Sequence, residues 1–310
     1  MDARQMSSIH LFFRIFADRK LVQMRIYQIL ILLSTLLFMG CNGNNRKTDS
    51  AEIVVSIEPI KYIVEQIVGD QLKIKVLTPA GSSPETYEPT PHDMIAIDKA
   101  KMIFSTGLIE FETNLLSRIG YKDKTTVLSQ GIELIEGDCS HAHSHNHAHH
   151  SHGVDPHIWT SPQELRTMAH NAHEAIMRLY PNSIHYTTAY TALDSKLAAL
   201  DEECRATCKA SSAKAFVIYH PALTYYARAY NLEQIAIEND GKEPSVKHIA
   251  HIITRAKEQG ATTLLYQREF PRSVVEVIAE DMELEAREIN PLADDPIAFI
   301  KEITQYITSK

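Results

Sequence analysis

Ile53-Val54-Val55-Ser56-Ile57, followed at once by Glu58-Pro59-Ile60-Lys61-Tyr62-Ile63-Val64-Glu65-Gln66-Ile67-Val68, is the stretch on which the fold turns. The first five residues are mostly β-branched and bounded by polar positions, which reads as a short strand. Pro59 then opens a pattern with Ile60, Ile63, Val64, Ile67 and Val68 on one helical face, so a helix follows. A strand feeding directly into an amphipathic helix is the repeating unit of a parallel sheet. Downstream the unit recurs. Lys73 to Leu77 is a second strand, and Met102 to Phe104 a third. Between them lies a turn-rich loop, Thr78 to Pro91, holding Pro79, Pro84, Pro89 and Pro91, then a helix capped by Asp93 and running to Ala100. Ile109 to Ile119 is helical and Thr126 to Leu128 is a fourth strand. Loops as long as Thr78 to Pro91 inside a compact lobe are usually functional.

A second alternation begins after residue 210. It comprises strand Ala215 to Tyr219, a helix from Ala222, strand Gln234 to Ala236, helix Ser245 to Gln259, strand Thr263 to Tyr266, helix Arg272 to Met282, strand Glu285 to Ile289 and helix Pro296 to Thr308. Between the halves, Ser161, Pro162 and Glu164 predict a capping box with proline at the first helical position, and that helix ends at Tyr180 before Pro181. Asn182 then caps a second helix to about Lys209, on which Leu193, Leu197, Leu200, Cys204 and Cys208 form a buried stripe. About 27 residues at 1.5 Å each span ~40 Å, enough to bridge two lobes. The predicted fold class is therefore α/β: two lobes with parallel sheets joined by one long rigid helix, and a metal site in the cleft between them.

Composition narrows the function. With 44% apolar residues in 310 the chain can bury two cores, and its net charge of −8 argues against nucleic acid or an anionic lipid surface as main partner while suiting a cation. Near the N-terminus Arg25 precedes the apolar run Ile29 to Phe38 and then Gly40-Cys41. A run this short is a signal-peptide core rather than a membrane span, which needs ~20 apolar residues. Gly40-Cys41 resembles a bacterial lipobox, which would make Cys41 the lipidated first residue of the mature protein. The expected organisation is a signal peptide over 1–40, with the true start at Met24, and a tether over 41–51. An N-terminal lobe over 52–182, a linking helix over 183–209 and a C-terminal lobe over 210–310 follow. Cys204 and Cys208 are read as thiols filling the helical stripe, and Cys139 as an extra soft ligand or a free exposed thiol.

Seven of the 16 histidines lie in one run: His141, His143, His145, His147, His149, His150 and His152, spaced by Ala, Ser and Asn. Such residues build no core and leave imidazoles free for transition metals, so the loop over 137–153 is an accessory metal-binding segment. A fixed site is sought elsewhere. In open α/β sheets ligands bind beyond the carboxyl ends of the strands. There stand Glu85 after the second strand, His157 after the fourth, His220 after Tyr219, and Asn290 after the last. Two imidazoles and a carboxylate suit Zn2+ and, less selectively, Mn2+. Binding is expected to fall below about pH 6 as imidazoles protonate near ~6.5. His170 with His173, and His248 with His251, are three apart on helices and read as surface positions; His185 reads as solvated.

At these residues the chain resembles the substrate-binding proteins of metal-ion ABC importers, in the zinc branch with a histidine-rich loop. Asp155-Pro156-His157-Ile158-Trp159-Thr160-Ser161-Pro162 is similar to the family's Asp-Pro-His-x-Trp-Leu-Ser-Pro, and Tyr219-His220-Pro221-Ala222-Leu223-Thr224-Tyr225 to its Tyr-His-x-Ala-x-x-Tyr. Pro84-Glu85-Thr86-Tyr87-Glu88-Pro89-Thr90-Pro91 looks like its Pro-His-x-Tyr-Glu-Pro-Thr-Pro. The resemblance covers about residues 52–310. It implies an extracytoplasmic, periplasmic or cell-surface protein, lipid-anchored and monomeric, that delivers zinc to a membrane permease and is not an enzyme. Three positions depart from the pattern. Glu85 replaces the first histidine, Asn290 an aspartate that can be a fourth ligand or a supporting group, and Gln267 a common glutamate. His92 is the alternative source of the missing imidazole. Manganese remains the alternative metal. From another class, an exported zinc hydrolase would need a general base, and no His-Glu-x-x-His or nucleophile elbow occurs. A zinc buffer or adhesin would share the same site.

Overall fold

The protein is described by a computed structural model covering residues 51–116, 120–136, 153–238 and 244–309. Cys41, Cys139 and the seven histidines of the run lie outside the described residues. Two four-stranded parallel sheets form. β1 (Ile53–Val55), β2 (Ile74–Val76), β3 (Met102–Ser105) and β4 (Thr125–Val127) take the order β2-β1-β3-β4. In the second lobe β5 (Ala215–Ile218), β6 (Glu233–Ala236), β7 (Ala261–Gln267) and β8 (Ala286–Ile289) take the equivalent order β6-β5-β7-β8. The strand order reverses direction beside β1 and β5, and a ligand crevice belongs at the carboxyl ends there.

Helix α1 (Glu58–Val68) buries Pro59 and all five apolar residues of the predicted face, Ile60, Ile63, Val64, Ile67 and Val68. In α2 (Pro91–Lys99) the cap is Thr90 rather than Asp93. Thr90 Oγ1 accepts from the Asp93 amide while the Asp93 carboxylate accepts from the Thr90 amide, so Asp93 closes a capping box from the third helical position. After β3 the chain turns at Gly107, with φ of +74°, where an added Cβ would lie 2.5 Å from Val127 Cγ1. The buried Glu112 carboxylate, on α3 (Glu110–Leu116), gathers the amides of Thr106, Gly107, Leu108 and Ile109 and so fixes this turn.

The capping box expected at Ser161 does not form. Ser161 Oγ has no partner, and Glu164, in α4 (Pro162–Leu179), binds Arg228 at 2.8 Å instead, because a cation from the other lobe is a stronger partner than a backbone amide. Ser183, not Asn182, caps α5 (Ile184–Ala210) by accepting from the Tyr186 amide. The expected stripe is buried along α5: Leu193, Leu197, Leu200, Cys204 and Cys208. Each fully buried leucine contributes about 1.5–3 kcal/mol. Both thiols are free, and burial raises their pKa. His173 is not at the surface as expected. It lies in the seam between α4 and α5, stacked on Tyr190 with centroids 4.3 Å apart, because its turn of α4 faces the neighbouring helix.

The second lobe adds α6 (Thr224–Tyr230), α7 (Val246–Gln259), α8 (Arg272–Met282) and α9 (Pro296–Thr308). The helix expected from Ala222 starts two residues later, since the Ala222 amide is spent on the His220 carbonyl. α5 packs against α1 and α4 of the first half and against α6 and α9 of the second. One apolar core runs through both lobes beneath it, and a smaller one lies under α7 and α8.

Candidate metal centre

The loop after β2 delivers Glu85. Its far side is pinned where Tyr87 donates to Asp93 at 2.7 Å and Lys75 pairs with Asp93 at 2.8 Å. Burial opposes ionisation of Asp93, but Lys75, Thr90 and Tyr87 outweigh it and hold the carboxyl well below the usual range. The Tyr87 ring stands edge-on to Phe111, with centroids 5.1 Å apart, and locks the loop to α3.

His157 ends a tight turn built by Asp155, whose Oδ1 accepts from the His157 amide at 2.8 Å and lies 2.9 Å from Nδ1. Burial would raise the pKa of Asp155, yet the adjacent His157 lowers it. His220 sits two residues past β5. Gln267, at the end of β7, grips its backbone twice, accepting from its amide at 3.3 Å and donating to its carbonyl at 2.9 Å. The His220 Nδ1 lies 2.7 Å from Glu238 Oε2.

Both imidazoles therefore turn Nε2 toward the same oxygen. Glu85 Oε1 is 3.1 Å from His220 Nε2 and 3.8 Å from His157 Nε2. Glu85, His157 and His220 each offer a ligand atom within 4.8 Å of the others. Burial works against a charge on His220, but the hydrogen bonds and charges of Glu238 and Glu85 lift its pKa to about 10. At neutral pH and without metal the site thus holds a proton on His220, and its loss of metal affinity begins at higher pH than an ordinary imidazole would give.

The other expected residues divide cleanly. Gln267 supports His220 through its backbone. Asn290 is exposed and accepts from the Leu292 amide at 3.0 Å, bracing its own loop. His92 stands outside the cluster, exposed on the first turn of α2, 3.3 Å from Lys75 Nζ, while Asp93 beside it is buried. His170 is exposed near the Tyr190 hydroxyl and His185 is exposed beside Tyr186. Glu238 went unnoticed in the sequence. It stands two residues past β6, so the carboxyl-end rule that found His220 covers it too.

The site lies between the lobes, and bonds across one wall hold them together. Tyr225 donates to the Asp155 carbonyl at 2.8 Å, Thr160 to the Ala222 carbonyl at 3.0 Å, and Trp159 Nε1 to the Pro291 carbonyl at 2.9 Å. Two imidazole nitrogens and a carboxylate oxygen form a three-ligand set of the kind that holds zinc.

Two α/β lobes bridged by a long helix, with metal-type ligands drawn from both, define a substrate-binding protein for a divalent ion. The chain belongs to the family described as "ZnuA: Zinc-uptake complex component A periplasmic", whose profile matches residues 53–308, and so to the solute-binding proteins of zinc ABC importers. It is 28% identical over 279 residues to the "High-affinity zinc uptake system protein ZnuA" of Bacillus subtilis, covering 85% of this chain and 88% of that protein. It is 24% identical over 280 residues to the "Zinc-binding lipoprotein AdcA" of Streptococcus pneumoniae, covering 86% of this chain but 55% of that longer protein. The structure named "Crystal structure of ZnuA" superposes with a TM-score of 0.73 at 31% identity, covering 84% of this chain and 98% of the other. The zinc-binding protein TroA of Treponema pallidum shares the fold, with a TM-score of 0.70 at 18% identity over 84% and 98% of the two chains.

Proposed function

We propose that this protein captures a single zinc ion between its lobes through His157, His220 and Glu85, and presents it to the membrane permease of an ABC importer. The observation that carries the reading is the convergence of two Nε2 atoms on Glu85 Oε1 from loops of different lobes. Binding exchanges the His220 proton for the ion: Glu85 gives up its ion pair with the imidazolium and becomes a metal ligand. The role is carriage of the ion rather than catalysis.

The carboxylate makes the ligand set harder than three imidazoles would be, which narrows the preference for zinc over manganese without reversing it. Residues 1–40 act as a signal peptide, Cys41 carries lipid, and 41–51 tether a monomer outside the cytoplasmic membrane. The lobes occupy 52–182 and 210–310, joined by the helix over 183–209. The histidine-rich segment over 137–153 holds further ions weakly. Titration of the mature protein lacking 137–153 tests the division of labour. One tight zinc equivalent is expected to remain, and loss of all tight binding would refute it. Mass spectrometry of the N-terminal peptide tests the anchor, and an intact segment 1–40 would rule it out.

A further inference from the structure

Glu238 is placed by the sheet. β5 and β6 pair in parallel register through Ile218 and Ala236, and the pairing runs on past the strand ends: the Ile237 amide donates to the Ile218 carbonyl at 2.8 Å and the Glu238 amide to the Tyr219 carbonyl at 2.9 Å. The backbone of Glu238 is thereby held beside His220, and its carboxylate, 13% exposed, reaches Nδ1 at 2.7 Å. We infer that Glu238 is the positioning residue for the C-terminal half of the metal site: by taking the Nδ1 hydrogen of His220 it fixes the ring orientation and tautomer that aim Nε2 at the ion. An imidazole without such a partner has a broad, roughly two-fold torsion about its ring bond and two tautomers. Gln267 holds only the backbone of His220, so it cannot choose between them. Glu238 also adds a second carboxylate charge on the side of His220 away from Glu85, and this favours a divalent ion over none. Carboxylate partners of metal-bound histidines act in this way generally, and their loss costs about 10–100-fold in affinity.

The inference rests on the zinc-capture reading above, and the experiment separates the two. Zinc affinity is measured by chelator competition, and cobalt(II) absorption records the ligand geometry, for the mature protein and for E238A, E238Q and E233A. Glu233 opens β6, the strand that leads to Glu238, is paired with Arg255, and serves as the control. If the unaltered protein binds no zinc tightly, the capture reading fails. If it does, E238A is expected to weaken zinc by about 10–100-fold with a changed cobalt spectrum. E238Q, which can still accept from Nδ1, is expected to fall between E238A and the unaltered protein, and E233A to match the latter. Affinity in E238A and E238Q within about threefold of the unaltered protein would overturn the inference. So would an unchanged cobalt spectrum in both, since weaker binding without altered geometry indicates damage elsewhere.

Discussion

The two lobes hold their histidines by different means. His157 depends on a turn two residues long, in which Asp155 binds both its amide and its ring. His220 is assembled from three strand ends, β5 carrying the ring, β7 supplying Gln267 and β6 leading to Glu238. The first half of the site takes its ring support from a neighbouring residue, while the second exists only when the sheet is formed. The lesson is that the site joins a ligand aimed by a sequence neighbour to one aimed by residues that only the sheet brings together. Glu85 meets both rings from a third loop.

The largest effect should come from removing either ring. H157A and H220A are each expected to lose more zinc affinity than the roughly 100-fold upper range for supporting residues, measured by chelator competition. Comparable tight binding in either variant would break the symmetry of the pair. The next effect separates the supports. Asp155→Ala strands two buried donors, so the metal-free protein should lose about 1–3 kcal/mol in denaturant unfolding. No loss of stability there would mean that the local turn is not held by Asp155.

The smallest effect is in protons. The pKa of His220 is raised from its ordinary 6.5 to about 10, so its contribution to metal-free stability is fully present below pH 6.5 and fades as pH climbs through 10. Zinc binding near pH 8 should accordingly release about one proton from His220, measurable by calorimetry in buffers of different ionisation enthalpy. Release close to zero would show that Glu85 and Glu238 do not hold the imidazolium.

Much of this was legible in the sequence because the governing signals are local. The face of α1, the stripe on α5 and the eight strands follow from periodicity, His220 from its place at a strand end, and His157 from the connection that follows the fourth strand. The capping details were not legible. The Glu164 carboxylate expected to close the box binds Arg228, which lies 64 residues away in the chain. His173 was misread because spacing on one helix does not say which face meets the next. Asn290 and His92 occupy suitable loops, yet one serves its own turn and the other faces outward, and neither direction is written in residue type. The raised pKa of His220 needed Glu85 and Glu238, which only the folded sheet brings to its two nitrogens.

Zinc-edge X-ray absorption on the mature protein lacking 137–153, loaded with one equivalent, tests the central claim most directly. Two imidazole nitrogens and oxygen donors at about 2.0–2.2 Å are expected, with no sulfur, and Glu85→His should raise the imidazole count to three. A shell with three or more imidazoles in the protein that retains Glu85 would contradict the account, because the described site has only His157 and His220 to offer.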